Sequence, residues 1–375
     1  MKKLNILIIN SLNIYGGGEF FVNQLSSKLK ELGHNVWVSC RKDNLIYSNC
    51  IKNNINVYPL EYPAHISSKG VLEISKQLAK FAKENKIDII HSNTNYDRTC
   101  GAIASMLSGK VHIASIHSFQ SIKHNISHWI RNKYLINRFI VNSRNTKELL
   151  VKKDRISSDK ISLIYMGLNP DEYKYNEDQR NFIRKKYGIK GDEILIGNMA
   201  RMVPFKGHDI LIKTFYLVYK HNNKVKLMII GDGELRLFLE KLIKDYGIES
   251  NIILTGYKEN FEEFYSAFDL YAHTSLEGGG ESFPYAMLYA LAYKLPIAAT
   301  RAGDAEAIVI NNKNGYVVDN KDIDTLAEKL LHLINNKELR EKFGKESLDL
   351  LNNNFTESEM IRKIEEVYYK STGVS

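Results

Sequence analysis

Short apolar runs rich in β-branched residues alternate with longer amphipathic stretches along the whole of this 375-residue chain. The runs at Leu4–Asn10, Val36–Ser39, Asp88–His91, His112–Ile116 and Phe139–Asn142 read as strands, with helical periodicity at Phe20–Leu32, Val71–Glu84 and Arg98–Leu107. Continuously apolar strands separated by helices indicate parallel sheets covered on both faces, because each crossover lays its helix on the sheet. The pattern breaks at the polar stretch PDEYKYNEDQRNFIRKKYG. It then restarts with strands at Ile194–Ala200, Lys226–Ile230, Ile252–Thr255, Asp269–His273 and Pro296–Thr300. Two such series, joined near residues 165–190, predict an α/β protein of two Rossmann-like, doubly wound parallel-sheet domains. The final helix, TESEMIRKIEEVYYK, fits either domain.

Hydrophobic residues make up 44% of the chain and charged residues 25%, the balance of a folded globular protein. Three cysteines (Cys40, Cys50 and Cys100) cannot all pair and none lies in a CxxC, which predicts free thiols in a reducing cytoplasm. The N-terminal MKKLNILIIN is basic and then apolar, yet its apolar run is short and no cleavage site follows; a buried first strand is expected there. No apolar run approaches the roughly 18 residues that span a bilayer. A cytoplasmic protein, or one peripheral on the inner face of the plasma membrane, is therefore expected.

The net charge of +9 is unevenly placed, with ten Lys and Arg against two acids (Glu148 and Asp154) between Lys110 and Arg155. Within this segment Lys123, Arg131, Lys133 and Arg138 are interleaved with Trp129, Tyr134 and Phe139. Such a stretch suits either a surface that meets anionic headgroups and acceptor phosphates or an ordinary solvated helical face.

The tetrapeptide GGGE occurs at Gly16–Glu19 and again at Gly278–Glu281, each time running into a helical pattern. Both loops are expected at the carboxyl end of a strand, where open α/β sheets bind ligands, and a cleft between the two domains is the simplest site. Pro284 stands where a proline opens a helix, so amides around Glu281–Phe283 offer a phosphate cradle; a tight turn without ligand is the alternative. Arg201 and Lys206, in ARMVPFKGHD, follow the first strand of the second half and suit a diphosphate. His117 follows a first-half strand, where an isolated histidine serves either a site or the core. GDGELRLFL, from Gly231, lacks the third glycine of a dinucleotide fingerprint, and GxxxxGK[ST], HExxH and GxSxG are absent. Asp322-Ile323-Asp324 begins a late helix and reads as a cap rather than a metal ligand pair.

Taken in order, these segments resemble the retaining glycosyltransferases of family 4, the group 1 class with the GT-B fold. The resemblance rests on GGGEFFVNQLSSKLKELGHNV, VNSRNTKELL and IYMGLNPDEY in the first half. In the second half it rests on GNMARMVPFKGHDILIKTF, LMIIGDGELRLFLEKL and ESFPYAMLYALAYKLPIAATRAGDAEAI. It implies an acceptor-side domain of residues 1–167 and 356–375 and a donor-side domain of residues 168–355. It implies that His117, Arg201, Lys206 and Glu281 carry catalysis: His117 against the transferred sugar, Arg201 and Lys206 on the diphosphate, Glu281 on sugar hydroxyls. Gly16, Gly17, Gly18, Gly231, Ser282, Phe283 and Pro284 would line the donor and phosphate site.

The family places a second glutamate eight residues after the first, on the ribose; here that position is Tyr289, which would take the same place with one phenolic oxygen instead of a carboxylate. The implied activity is metal-independent transfer, with retention, from a nucleotide-diphosphate sugar (UDP in the usual case). No cofactor is implied, and no nucleic acid. The acceptor would be a glycan or lipid-linked saccharide of surface polysaccharide, capsule or lipopolysaccharide synthesis. A sugar-nucleotide epimerase or hydrolase, and a non-catalytic partner protein motivated by Tyr289, are the competing expectations.

Overall fold

The computed structural model describes residues 2–12, 16–63, 67–119, 121 and 125–373. They divide into two compact units, Met1–Tyr165 with Glu359–Ser375, and Met166–Ser358.

In the first unit seven strands form one sheet: β1 (Asn5–Ile9), β2 (Asn35–Ser39), β3 (Asn56–Val57), β4 (Ile89–Ser92), β5 (Val111–Ile116), β6 (Arg138–Val141) and β7 (Ile161–Leu163). Their order is β3-β2-β1-β4-β5-β6-β7, and every pairing is parallel. Ile6 of β1 lies level with Val36 on one side and Ile89 on the other. Residues Ile6 to Ile9 are wholly buried, which is why this strand reads as continuously apolar rather than alternating. One face packs Leu7 and Ile9 against Ile74 and Leu78 of the helix Ser68–Glu84.

The second unit holds six parallel strands, β8 (Ile194–Met199), β9 (Val225–Ile230), β10 (Ile252–Leu254), β11 (Leu270–His273), β12 (Ile297–Thr300) and β13 (Gly315–Val318). Their order is β10-β9-β8-β11-β12-β13. Ile196, Leu227, Ile229 and Leu270 meet Leu211, Phe215, Leu326 and Leu330 in its core. In each sheet the chain starts inside and winds outward both ways, so strand order reverses at β1/β4 and at β8/β11. At such reversals the loops diverge, and open α/β sheets bind their ligands at the carboxyl ends there.

Three strands escaped the sequence reading. β3 has two residues and β7 three, too short for periodicity to show, while β13 follows the turn-rich NNKN. The polar stretch read as a linker is largely a helix, Glu177–Lys186, opened by Asn176 and flanked by acids first and bases last. Arg180 and Arg184 of this helix clamp Asp269 at 2.7 and 3.1 Å, fixing it to the second unit. The first break expected after residue 167 falls after Tyr165, and the second, expected before residue 356, falls before Glu359. Leu168 donates to Phe355 O (2.9 Å) and accepts from Glu357 N (3.0 Å), binding both crossing strands to the second unit. A Cβ on Gly167 would lie 2.3 Å from Thr356 O, so this crossing requires glycine.

The last helix, Glu357–Thr372, returns to the first unit through buried polar contacts. His34 accepts the Leu4 amide at Nδ1 (3.1 Å), so its Nε2 carries the proton and donates to Glu365 (2.9 Å). Tyr368 meets His91 Nδ1 at 2.6 Å, and Tyr369 donates to Lys2 O at 2.9 Å. Glu365→Ala leaves the buried His34 N–H unsatisfied, an expected loss of about 1–3 kcal/mol. Urea titration should show a lowered midpoint for this variant and a smaller loss for Glu365→Gln, which keeps an acceptor. Equal midpoints for Glu365→Ala and wild type would disprove the assignment.

Candidate functional site

Each unit gathers polar side chains at its own reversal of strand order. In the first unit the helix Gly17–Glu31 begins just past β1, three residues earlier than the apolar periodicity indicated. Glu19 explains the early start: its carboxylate accepts the Gly16 amide (3.0 Å) and the Asn10 side-chain amide (3.3 Å). Gly16 is thus the cap, and Gly17 and Gly18 form the first turn. A Cβ on Gly18 would come within 3.8 Å of His117 Cδ2, so the glycine turn and the histidine after β5 are neighbours.

His117 is half-buried, its ring 4.7 Å from that of Phe21, with Nε2 3.4 Å from Asn93 Oδ1. Its Nδ1 has no hydrogen-bond partner among the described residues. Burial, and then the nearby Arg98 guanidinium, bring its pKa down to about 4, so the imidazole is neutral at pH 7. Arg98 and Asp97, which the sequence reading missed, are themselves buried beside it. Asp97 accepts the Ser11 and Thr94 amides (3.1 and 3.0 Å), while burial pushes its carboxyl up to about 6. Thr94–Asp97 is a capping box, a pattern legible as T-x-x-D.

In the second unit Lys206 ends a short 3₁₀ turn after β8, and its ammonium pairs with Glu281 Oε2. The same oxygen accepts from Ser275 Oγ (2.8 Å) and lies 3.6 Å from His273 Nε2 at the end of β11. Burial raises the Glu281 carboxyl, but the Lys206 charge and His273 more than reverse this and hold it well below the usual carboxylate range. Arg201 projects from the same loop as Lys206; it is exposed, and its guanidinium makes no hydrogen bond or ion pair among the described residues. The second GGGE supplies Glu281 through unusual backbone: Gly278 and Gly280 have φ of +75° and +103°, and a Cβ on Gly279 would lie 2.2 Å from Phe205 Cβ.

Gly231, after β9, fits against the loop that carries Arg201; its Cβ would lie 2.1 Å from Ala200 O. Pro284 caps the helix Tyr285–Ala292 rather than standing inside it, after the buried Ser282. Phe283 packs its ring 5.6 Å from Phe355. Asp322 caps its helix by accepting the Thr325 amide at 3.1 Å.

Two expectations are corrected. Tyr289, expected beside the ribose, is 2% exposed and packs its ring against Tyr173 (4.9 Å), Phe261 (5.1 Å) and Tyr265 (5.7 Å). A large aromatic ring finds more buried area among these neighbours than at a polar site, so Tyr289 belongs to the core. Arg131, expected on an exposed basic surface, is 3% exposed and donates to Thr99 Oγ1 (2.7 Å) and Asn95 Oδ1 (3.2 Å). Arg138 is partly buried and bonds the Asp159 carbonyl. Lys133 is exposed and sits over Trp129 (4.8 Å), with Tyr134 adjacent. Lys123 lies outside the described residues. Among the described residues no helix is long and apolar enough to cross a membrane.

The profile of the Glycosyl transferases group 1 family matches residues 179–349, and that of Glycosyltransferase Family 4 matches residues 15–172. The poly(ribitol-phosphate) alpha-N-acetylglucosaminyltransferase of Staphylococcus aureus is 34% identical over 174 residues, 46% of this chain but only 34% of that protein's length. The N-acetyl-alpha-D-glucosaminyl L-malate synthase of Bacillus anthracis is 22% identical over 372 residues, 94% of each chain. Among solved structures, Anabaena Alr3699/HepE in complex with UDP has a TM-score of 0.86 at 20% identity, covering 98% of this chain and 100% of that one.

The packing of Tyr289 generates a direct expectation. Tyr289→Glu buries a carboxylate among aromatic rings and should lower the melting temperature by several degrees without tightening UDP binding. Tyr289→Phe should stay close to wild type. Tighter UDP binding by the glutamate variant in a thermal-shift titration would return position 289 to the ligand site.

Proposed function

Because the chain belongs to the family 4, group 1 glycosyltransferases and has their GT-B fold, we propose that it transfers a sugar, with retention, from a UDP-sugar to a surface-polysaccharide acceptor. The observation that carries this reading is the largely buried Lys206–Glu281 ion pair, with Arg201 exposed on the loop that carries Lys206, at the strand-order reversal of the second sheet. Arg201 and Lys206 supply two cations for a diphosphate. Glu281 uses Oε2 for its internal partners, and its Oε1 is left for sugar hydroxyls. His117, neutral and with Nδ1 unpartnered among the described residues, suits a hydrogen bond to the sugar rather than a charge contact.

In the reaction the bond from the anomeric carbon to the β-phosphate oxygen breaks while the acceptor oxygen bonds to that carbon. The acceptor proton passes to the departing phosphate oxygen on the same face, which preserves configuration. Two fixed cations stabilise the charge that grows on the leaving diphosphate, and this reading therefore requires no metal. The acceptor in this reading is a glycan or lipid-linked saccharide, and the name of the S. aureus relative, a poly(ribitol-phosphate) transferase, supports adding a polyol-phosphate to the candidates. Exposed Ile126, Trp129, Ile130 and Tyr134, together with Lys133, offer an apolar and cationic patch by which the first unit would meet an anionic membrane holding that acceptor.

A panel of UDP-sugars with candidate acceptors, read by product mass and anomeric NMR, tests the activity. Arg201→Ala and Lys206→Ala should each lower kcat by about 10²–10³-fold, and EDTA should change nothing. Free or epimerised sugar without acceptor-dependent product would favour the hydrolase or epimerase reading. Flotation with anionic liposomes should recover the protein at low salt, and Trp129→Ser with Lys133→Ser should abolish this. Recovery unchanged by those substitutions would refute the patch.

A further inference from the structure

The Lys206–Glu281 pair poses a problem once a diphosphate arrives. Lys206 cannot keep its full charge on a buried carboxylate while it also neutralises an incoming anion. Glu281 is about as buried as its partner, and a carboxylate left without a cation at such a depth is strongly disfavoured. The groups that face it are few. Ser275 donates one hydrogen bond, and Tyr271 approaches from β11. His273, 1% exposed, holds its Nε2 3.6 Å from the same Oε2, too long for a hydrogen bond but a few tenths of an ångström from one. Neither ring nitrogen of His273 has a hydrogen-bond partner among the described residues. Such a vacancy on a fully buried imidazole is unusual and calls for an explanation.

Resting on the reading of Lys206 as a diphosphate ligand, we propose that His273 is a positioning residue that takes up a proton when the donor binds. It thereby replaces Lys206 as the cation that holds Glu281 in place. Lys206 then serves the phosphates, His273 serves the carboxylate, and Glu281 keeps its orientation toward the sugar. The other charged and titratable groups around the ring are Lys206 from the turn after β8 and His208 from the start of the helix His208–His221. In the free protein burial, helped by the Lys206 charge, lowers the His273 pKa by more than Glu281 raises it, so the ring is neutral there. Drawing Lys206 toward an anion removes that opposition and adds negative charge nearby. His208 is also buried and its ring nitrogens have no partner among the described residues; burial first, and then the Lys206 charge, bring its pKa down to about 4, so it stays neutral.

The sign of the linkage follows. A site that gains a proton on binding binds more tightly as pH falls, with a limiting slope of about tenfold in Kd per pH unit for one proton. The test is calorimetric titration of the full chain with UDP in buffers of different ionisation enthalpy at about pH 8, where the terminal phosphate is fully ionised. Wild type should take up close to one proton per UDP, and its Kd should weaken as pH rises. His273→Gln, which keeps a donor without a titrating charge, should still bind UDP but with no proton uptake and a flat pH profile.

Wild-type binding with no buffer dependence overturns the proposal, whether or not the variant folds. Undiminished uptake in a folded His273→Gln also overturns it and assigns the proton elsewhere, with His208→Gln identifying the neighbour. Failure of wild type to bind UDP at all overturns the diphosphate reading of Lys206 itself, and the proposal with it.

Discussion

Every strand pairing in both sheets is parallel, and the rest of the molecule follows from that constraint. A parallel strand must be followed by a crossover, each crossover covers a face, and the strands are therefore buried on both sides. The only places left for polar chemistry are the strand ends. Where strand order reverses, at β1/β4 and β8/β11, neighbouring loops leave in opposite directions and cannot fill the space between them. Asn10 and Asn93 lie at that reversal in the first unit, and Lys206, His273 and Ser275 in the second, most of them buried.

Within the second opening, buried charge is the organising interaction. Glu281 is reached by a loop whose backbone only glycine adopts comfortably, and it is held by a lysine from the turn after β8 and by a histidine and a serine from the end of β11. Such a pair is costly to bury and is weak evidence for stability. Its value lies in orientation: one carboxylate oxygen is fully occupied, and the other keeps a fixed direction. Arg201, exposed on the same loop as Lys206, shows the opposite solution, a cation left in solvent. The first unit handles charge differently again. Asp97 spends its carboxylate on backbone amides, and burial, helped by Arg98, lowers the basicity of His117.

The helix Glu177–Lys186 and Tyr289 show how far local sequence carries and where it stops. The helix had legible signals, an Asn cap with acids first and bases last, but its apolar residues are too few for periodicity to reveal it. What holds it is Asp269, 85 to 89 residues further along the chain. Tyr289 stands where a family pattern has an acid, and pattern alone suggested a substitute ligand. Only packing shows that Tyr173, Phe261 and Tyr265 enclose the ring. Arg131 misled for a similar reason: a basic run looks like surface, yet a guanidinium with several side-chain acceptors within reach can be buried.

The sequence by itself determined the two βα series, the glycine loops and the order of the residues that make up each opening. Those depend on short-range physics: apolar period, capping and the freedom of glycine. Tertiary structure alone decided the crossing of the chain at Gly167, the return of the last helix through His34 and Glu365, and the convergence of Lys206, Ser275 and His273 on one oxygen of Glu281. Most of these join residues far apart in the chain: Lys206 lies 75 residues from Glu281, although Ser275 is only six away. The free energy that selects them comes from burying charges and hydrogen-bonding groups together, which no local pattern of apolar and polar residues encodes.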